Sequence, residues 1–290
     1  MRASTGQNVK RSSLQERAPN PFLTLETMWN YICIYGAFFN YSLMREMSFK
    51  ANFLLWLFVE LLWFALQLGF NGVLYLHTDC IGTWTKWEVV MLIGTSHFVQ
   101  QLFQAFFLVN CSQLSNLVHT GTLDFMLLFP KNTRFLVSFR QVDVGGFVSA
   151  VSGLTVVIYA ACQLHLRPSW WQIVAYLAAC FMGVVVHYSL MFLMGTISFW
   201  TVRANGLIMA YYNLFSVARL PDVVLKKSYK TIYVIALPML LVSNVPVKAV
   251  TNRLNSPFEL CLLAVLALGC FFASQLVWRK ALRAYSSASS

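Results

Sequence analysis

The sequence alternates between long apolar runs and short polar segments. Several of the apolar runs continue for about 20 residues almost without a charged side chain, which is the length that an α-helix needs to cross the hydrocarbon core of a bilayer. The pattern predicts an all-α polytopic membrane protein with six transmembrane helices. These spans lie at about 51–76, 87–109, 143–164, 170–199, 231–247 and 260–278.

Three segments outside the spans have patterns of their own. Residues 1–22 are polar and basic, which predicts a disordered N-terminus, and residues 23–290 would form a single transmembrane domain. Residues 24–48 mix aromatic with polar side chains, as is typical of an amphipathic helix that lies in the membrane interface. An apolar piece at 206–218 lies in a polar stretch and predicts a second surface helix, broken at Pro221.

Composition and charge agree with a membrane environment. Hydrophobic residues make up 58% of the chain and charged residues 11%, which is more apolar surface than one soluble core would use. The net charge of +11 does not indicate a nucleic-acid partner, because the Lys and Arg residues lie mainly on one side of the predicted topology. Only four of the 21 fall on the other side, namely Lys86, Arg167, Lys248 and Arg253. This asymmetry predicts a multi-pass protein of the bacterial inner membrane with both termini in the cytoplasm.

The sequence contains none of the common nucleotide-binding or hydrolase motifs. It has no G-x-x-x-x-G-K-[ST] and no G-x-G-x-x-G, which cradle phosphates in nucleotide sites. It also has no H-E-x-x-H and no G-x-S-x-G, and its histidines are dispersed. We therefore expect no catalytic, cofactor-binding or metal-binding residues in this chain, and no enzymatic activity of its own.

The loop after the second span is the most informative segment. Gly121 can end a helix in a left-handed conformation, and Pro130 stops the apolar run that follows. A tight turn back to the bilayer would not need the apolar stretch LDFMLLF at the membrane surface. The interval therefore predicts a short, bounded element, with Asp124 as its polar contact.

Three features of the sequence together resemble a known family. They are the Gly-Thr-Leu-Asp…Leu…Pro pattern at 121–130, the Ser-Phe-Trp-x-x-Arg-Ala-Asn run at 198–205, and Pro246 near the end of the fifth span. In their order and spacing they resemble the six-span permeases of the ABC type-2 transporter superfamily, in the branch long catalogued as a domain of unknown function. The resemblance extends from about residue 30 to 285.

The resemblance implies a function and a set of partners. Such a chain is the permease subunit of an ATP-binding cassette transporter, and most transporters of this superfamily are exporters. The permease pairs with a second copy of itself or with a sister permease. Two copies of a separate ABC ATPase would bind ATP and Mg²⁺ on the cytoplasmic side. The alternative function, a stand-alone secondary carrier or channel, would need inverted repeats or a polar path, and neither is clear in the sequence.

The resemblance also implies which residues meet the ATPase. In these permeases the first cytoplasmic loop carries a coupling helix that enters a groove on the ATPase, with the N-terminal interfacial helix nearby. Carried over to this sequence, the coupling residues are Gly121, Thr122, Leu123, Asp124, Phe125 and Pro130.

Glu60 is an acid placed deep in a predicted span. A carboxylate isolated in hydrocarbon costs several kcal/mol, so it should pair or face a wet cavity. One interpretation is a structural acid that bonds to His97, Gln100 or Gln101 of the second span. The other is that Glu60, Gln67 and His97 line a substrate path between two permease copies.

Overall fold

The computed structural model describes residues 25–78, 80–201, 205–215, 219–223, 238–254 and 258–285. The predicted disordered segment 1–22 lies outside these residues. The elements, in chain order, are α1 (Leu25–Ser48), α2 (Lys50–His77), an antiparallel hairpin of β1 (Cys80–Ile81) and β2 (Trp84–Thr85), α3 (Lys86–Phe103), a π-helical turn (Gln104–Leu108), α4 (Val109–His119), α5 (Leu123–Leu127), α6 (Thr133–Phe139), α7 (Val144–Gln163), α8 (Trp170–Thr196) with a 3-10 turn (Ile197–Phe199), α9 (Asn205–Leu214), α10 (Met239–Val250) and α11 (Phe258–Ala284).

Five helical stretches within the described residues are long and apolar enough to cross a membrane. They are Lys50–His77, Lys86–His119, Val144–Gln163, Trp170–Phe199 and Phe258–Ala284. Their positions agree with the first four predicted spans and the last one, and the fold is an all-α polytopic membrane protein. The second stretch is longer than expected, since α3, the π-helical turn and α4 form one continuous helix of 34 residues.

Polar side chains at the starts of these helices explain where they begin. Thr85 and Glu88 form a capping box at α3, in which the Glu88 carboxylate accepts from the Thr85 backbone N–H at 2.8 Å. Ser169 and Gln172 form the same arrangement at α8. Asp143 begins α7 by accepting a hydrogen bond from the backbone N–H of Gly146.

The bundle is built around α3 and α8, with α2 and α11 at its periphery. Most of the membrane-spanning part of α3–α4 and of α8 is buried, whereas only 6% of the α2 window is buried. Small residues bring α3 and α7 close together, because a Cβ on Gly153 would lie 2.9 Å from the backbone nitrogen of Phe98. The exposed faces of α2 and α11 are therefore left for lipid or for another chain.

The two ends of the bundle differ in their chemistry. At one end, which we call the hairpin end, Arg253 forms an ion pair with Glu88 at 2.7 Å and donates to the Thr83 carbonyl of the β-hairpin. Lys248 pairs there with Asp222 at 2.9 Å and with Glu259 at 3.2 Å. The opposite end, which we call the loop end, carries α5 and α6 between the second and third membrane helices.

The expected surface position of 206–218 is wrong for the residues that the structure describes. Tyr211 is buried, and its hydroxyl lies 2.7 Å from Nδ1 of His187, in the middle of α8. Further along, Arg219 donates to the side chain of Gln100 at 2.7 Å, and Asp222 reaches Lys248 at the hairpin end. The stretch around 206–218 is too polar to cross by itself, but Arg219 and Asp222, which follow the apolar piece, find partners in the bundle, and this lowers the cost of burying them.

The region of the predicted fifth span, 231–247, holds a shorter helix. Residues 231–237 lie outside the described part of the chain, and α10 begins after Pro238 and extends to Val250. With 12 residues, α10 is about 18 Å long, which is less than the roughly 30 Å of a bilayer's hydrocarbon core. Nearly all of its side chains are buried against α3, α8 and α11, so α10 belongs to the interior of the bundle.

Candidate functional site

The segment 121–130 forms the bounded element that its sequence indicates. Gly121 follows α4 with a φ of 71°, the left-handed conformation that glycine adopts without steric cost. Its carbonyl accepts from the backbone N–H of Asp124 at 3.1 Å, which starts the five-residue helix α5. After Pro130, the side chain of Asn132 caps α6 by accepting from the backbone N–H of Arg134 at 3.0 Å.

Apolar side chains of this segment are divided between the core and the outside. Leu123 is fully buried beneath α5. Phe125 is 67% exposed and Leu128 is 76% exposed, and Phe129 is exposed as well. These three side chains lie outside the membrane-spanning helices. They form an exposed apolar surface at the loop end of the bundle, which we call the apolar knob. An apolar knob of this kind is typical of a surface that another protein or the membrane covers.

Polar and aromatic contacts hold the segment 121–130 and the start of α6 against neighbouring elements. The Asp124 carboxylate lies near the Tyr285 hydroxyl just after α11, and burial, together with this carboxylate, raises the pKa of Tyr285 to about 12. From α1, the Tyr31 ring packs edge-on against Phe135 at 4.7 Å, and its hydroxyl accepts from the Asn132 backbone N–H at 3.3 Å. The N-terminal helix therefore lies beside the segment.

A polar cavity of about 920 Å³ lies between α2, α3 and the residues around Arg219. The three residues predicted to line a path, Glu60, Gln67 and His97, all lie on its wall. Further polar side chains join them there, namely Gln100, Gln101, Asn213 and Arg219. The structure thus brings together the predicted path residues and the two glutamines expected near Glu60, and it adds Asn213 and Arg219, which the sequence did not suggest.

Glu60 has different partners from those expected. Its Oε1 accepts from Gln104 Nε2 at 2.5 Å, and its Oε2 accepts from the Ser149 hydroxyl at 2.8 Å. His97 instead stacks on the ring of Phe64, with centroids 3.8 Å apart. The predicted pairing of Glu60 with His97, Gln100 or Gln101 is therefore wrong in this structure.

Gln104 lies on the same face of the second membrane helix as the expected partners of Glu60. It follows His97 by seven positions and Gln100 by four, and its backbone N–H still donates to the Gln100 carbonyl, as in a regular α-helix. Helical spacing from His97 therefore could have found Gln104. Its Nε2 also lies 3.5 Å from Oδ2 of Asp143, so Gln104 lies between two acids. A π-helical turn begins at Gln104 and extends to Leu108, and such turns often occur at functional sites.

Glu60 also lines a second, smaller cavity of about 430 Å³. This cavity is lined by residues at the end of α1, including Arg45 and Glu46, and by Gln104 and Asp143. Glu60 therefore lies in the wall between the smaller cavity, near α1, and the larger polar cavity. Polar side chains line both cavities, although the chain is otherwise strongly apolar.

A comparison with known protein families gives one match. The family described as ABC-2 family transporter protein matches residues 61–289, which is most of the chain. No curated protein and no solved structure matches the chain significantly. Permeases of this family are membrane components of transport and generally work with ABC ATPase partners. The chain belongs to the ABC-2 family of membrane transporter proteins.

Proposed function

We propose that this chain is the permease subunit of an ABC exporter and that a separate ATPase subunit hydrolyses the ATP. Its sequence has no phosphate-cradling motif, so two copies of the partner would bind ATP and Mg²⁺. The observation that carries the proposal is the exposed apolar knob of Phe125 and Leu128, in a chain of the ABC-2 family. This knob is the coupling surface that enters a groove on the ATPase.

The continuous helix behind the knob supplies a route for coupling. The stretch Lys86–His119 carries His97 and Gln100 on the polar cavity and ends directly before Gly121. Movement of the ATPase subunits pushes on α5, and a rigid helix transmits that displacement to the cavity wall. The buried Leu123 anchors α5 to the bundle, so that the segment moves with the helix.

The polar cavity is proposed as half of a substrate path between two permease copies. Its outer wall is formed by Trp63, Leu66 and Phe70 of α2, all of which are exposed in the single chain. A second copy, or a sister permease, packed on this face would cover these side chains and close the cavity. Glu60, Gln67 and His97 would then lie beside the cargo. A wall that combines aromatic side chains with polar and charged groups suits an amphipathic substrate.

The proposed membrane placement follows from the distribution of charge. We place the loop end and both termini in the cytoplasm of a bacterial cell and the hairpin end outside the inner membrane. The structure removes Arg219 from the cytoplasmic count, because this side chain reaches Gln100 inside the bundle. The basic residues before α2, in the loop that carries α5, and in the last turns of α11 still support this orientation.

Co-purification with the ATPase tests the proposal. The chain alone should hydrolyse no ATP, and adding the partner should produce hydrolysis that the substrate stimulates. The double variant Phe125→Ala and Leu128→Ala should lose most of the bound ATPase, while Leu268→Ala, which removes an exposed leucine from α11, should not. Robust hydrolysis by the chain alone, or normal ATPase binding by the double variant, would refute the proposed role.

A further inference from the structure

A second large cavity, which we call the aromatic groove, uses a different face of α3. It has a volume of about 750 Å³ and lies between α3, α6, α8 and α11. Most of its lining is apolar, with Phe98, Phe107, Phe181, Phe271 and Phe272 among the aromatic side chains. None of its lining residues belongs to the polar cavity, so the groove is a separate feature of the bundle.

One cation, Arg134, lies in the wall of this groove. Its side chain is only 7% exposed although it carries a permanent charge. The guanidinium donates to the Tyr188 hydroxyl at 2.9 Å, to the Ser274 hydroxyl at 2.7 Å and to the side chain of Gln275. All three acceptors are neutral. In the described part of the chain, no carboxylate lies within 4.0 Å of the Arg134 guanidinium.

The Arg134 guanidinium therefore has no anionic partner among the described residues, but it has N–H groups left to donate. It has five N–H groups, and three hydrogen bonds leave two of them for another acceptor. The rings of Tyr188, Phe192 and Phe271 lie 4.6 to 5.2 Å from it and supply cation–π attraction. A buried charge with only neutral neighbours is costly in a bilayer, and a bound anion would offset that cost.

The groove is long enough to hold most of one acyl chain. Along α8 its lining extends from Tyr188, which contacts Arg134, to Leu177, which is closer to the hairpin end. These residues are 11 positions apart, or about 16 Å along the helix axis. The acyl chains of one leaflet extend over about 15 Å, half of the hydrocarbon core. Phe181 and Phe272 are both exposed in the lining, so the groove opens toward the space that lipid would fill.

We propose that the aromatic groove binds an anionic membrane lipid. The lipid phosphate accepts hydrogen bonds from Arg134, and one acyl chain lies along the groove toward Leu177. A free phosphate would use the guanidinium but none of the aromatic wall, whereas a zwitterionic or neutral lipid would use the wall but would not neutralise the buried charge. The proposal does not depend on an ATPase partner or on the direction of transport.

Lipid retention by the purified full chain tests the site. In native mass spectrometry from a neutral detergent, we expect dipalmitoylphosphatidylglycerol to bind about tenfold more tightly than dipalmitoylphosphatidylcholine. Both lipids offer a phosphate to Arg134, but the choline cation of phosphatidylcholine repels the guanidinium and cancels the charge that would neutralise it. Arg134→Gln should abolish the preference, while Arg134→Lys should retain part of it. Arg140→Gln is the matched control, because Arg140 is not part of the groove and donates instead to Gln113. Equal binding of the two lipids by the unchanged chain would overturn the proposal.

A groove-filling variant keeps the test independent of the hydrogen bonds that Arg134 makes. Leu177→Trp adds bulk at the far end of the groove, where the side chain is already half exposed and the fold should tolerate it. It should weaken binding of the dipalmitoyl lipid about fivefold or more and leave binding of dioctanoylphosphatidylglycerol unchanged. Equal weakening of both lipids, or of neither, would contradict an acyl chain in the groove. Displacement of the lipid by inorganic phosphate at equal concentration would instead indicate a free-phosphate site.

Discussion

Nδ1 of His187 and the hydroxyl oxygen of Tyr211 lie 2.7 Å apart in the interior of the bundle, joining α8 to α9. The ring of Phe215 packs edge-on against the same imidazole, with centroids 4.2 Å apart. Both residues of the hydrogen bond are buried. This pair holds one face of α9 against α8, while Leu207 and Met209 of α9 are exposed. It also connects the Ser-Phe-Trp-x-x-Arg-Ala-Asn run, which ends at Asn205, to the core.

Removal of the Tyr211 hydroxyl should destabilise the bundle. Tyr211→Phe keeps the ring but leaves Nδ1 of His187 without its partner, and an unsatisfied buried polar atom costs about 1–3 kcal/mol. We expect the thermal unfolding midpoint in detergent to fall by several degrees. Tyr159→Phe, at an exposed tyrosine of α7, is the control and should leave the midpoint unchanged. An unchanged midpoint for Tyr211→Phe would place α9 elsewhere.

A designed disulfide tests the end of the same segment. A Cβ built on Gly82 would lie 3.2 Å from the Cβ of Val223, slightly below the roughly 3.5–4.5 Å found in disulfides, so the hairpin turn, where Gly82 has a φ of 64°, must relax slightly to form the bond. With Cys80 replaced by Ser, the double variant Gly82→Cys and Val223→Cys should form an intramolecular disulfide on mild oxidation. The bond is detected as loss of two reactive thiols. Two thiols that stay free would show that residue 223 does not lie at the hairpin end.

Substitutions at Glu60 separate its hydrogen bonds from its charge. Glu60→Gln keeps one oxygen that can accept from Gln104, and its new NH2 group can donate to the Ser149 hydroxyl oxygen, so we expect stability close to that of the unchanged chain. Glu60→Leu removes both acceptors and should cost about 1–3 kcal/mol in detergent unfolding. If Glu60 lies on the substrate path, Glu60→Gln should lose transport in a well-folded complex. Unchanged transport would make Glu60 a structural acid only.

The coupling role of Asp124 is testable in the complex with the ATPase. Asp124→Ala, or deletion of part of the LDFMLLF stretch, should leave membrane insertion intact, because the spans on either side do not depend on this segment. The same changes should remove most of the substrate-stimulated ATP hydrolysis. Leu268→Ala again provides a control on a remote exposed surface. Stimulation that persists in the Asp124 variants would place the coupling site elsewhere.

Labelling from the two sides of the membrane tests the proposed orientation. Single cysteines introduced at Lys131 and at Thr83 lie at the loop end and the hairpin end, respectively. In intact cells, a membrane-impermeant maleimide should modify the cysteine at 83 and not the one at 131. After permeabilisation, both should react. Modification of position 131 in intact cells would reverse the topology.

The sequence alone was sufficient where the determining forces are local. The span at Trp170–Phe199 follows from 30 mostly apolar residues without Asp, Glu, Lys or Arg, since the bilayer selects helices by length and composition. The turn at Gly121 follows from the ease with which glycine adopts a positive φ. Both features are properties of neighbouring residues, and neither needs information from elsewhere in the chain. The family followed in the same way from short patterns in their order.

Tertiary structure decided the features that depend on distant partners. Arg219 can lie inside the bundle because Gln100, 119 residues away, accepts its hydrogen bond, and a polarity count along the chain cannot include that compensation. Glu60 meets Gln104 instead of His97, although both lie on one face of the second membrane helix, because the packing of α2 against α3 and α7 sets which of them faces the carboxylate. The cost of burying a polar group is set by the atoms that surround it in three dimensions, and that surrounding forms only when the helices pack.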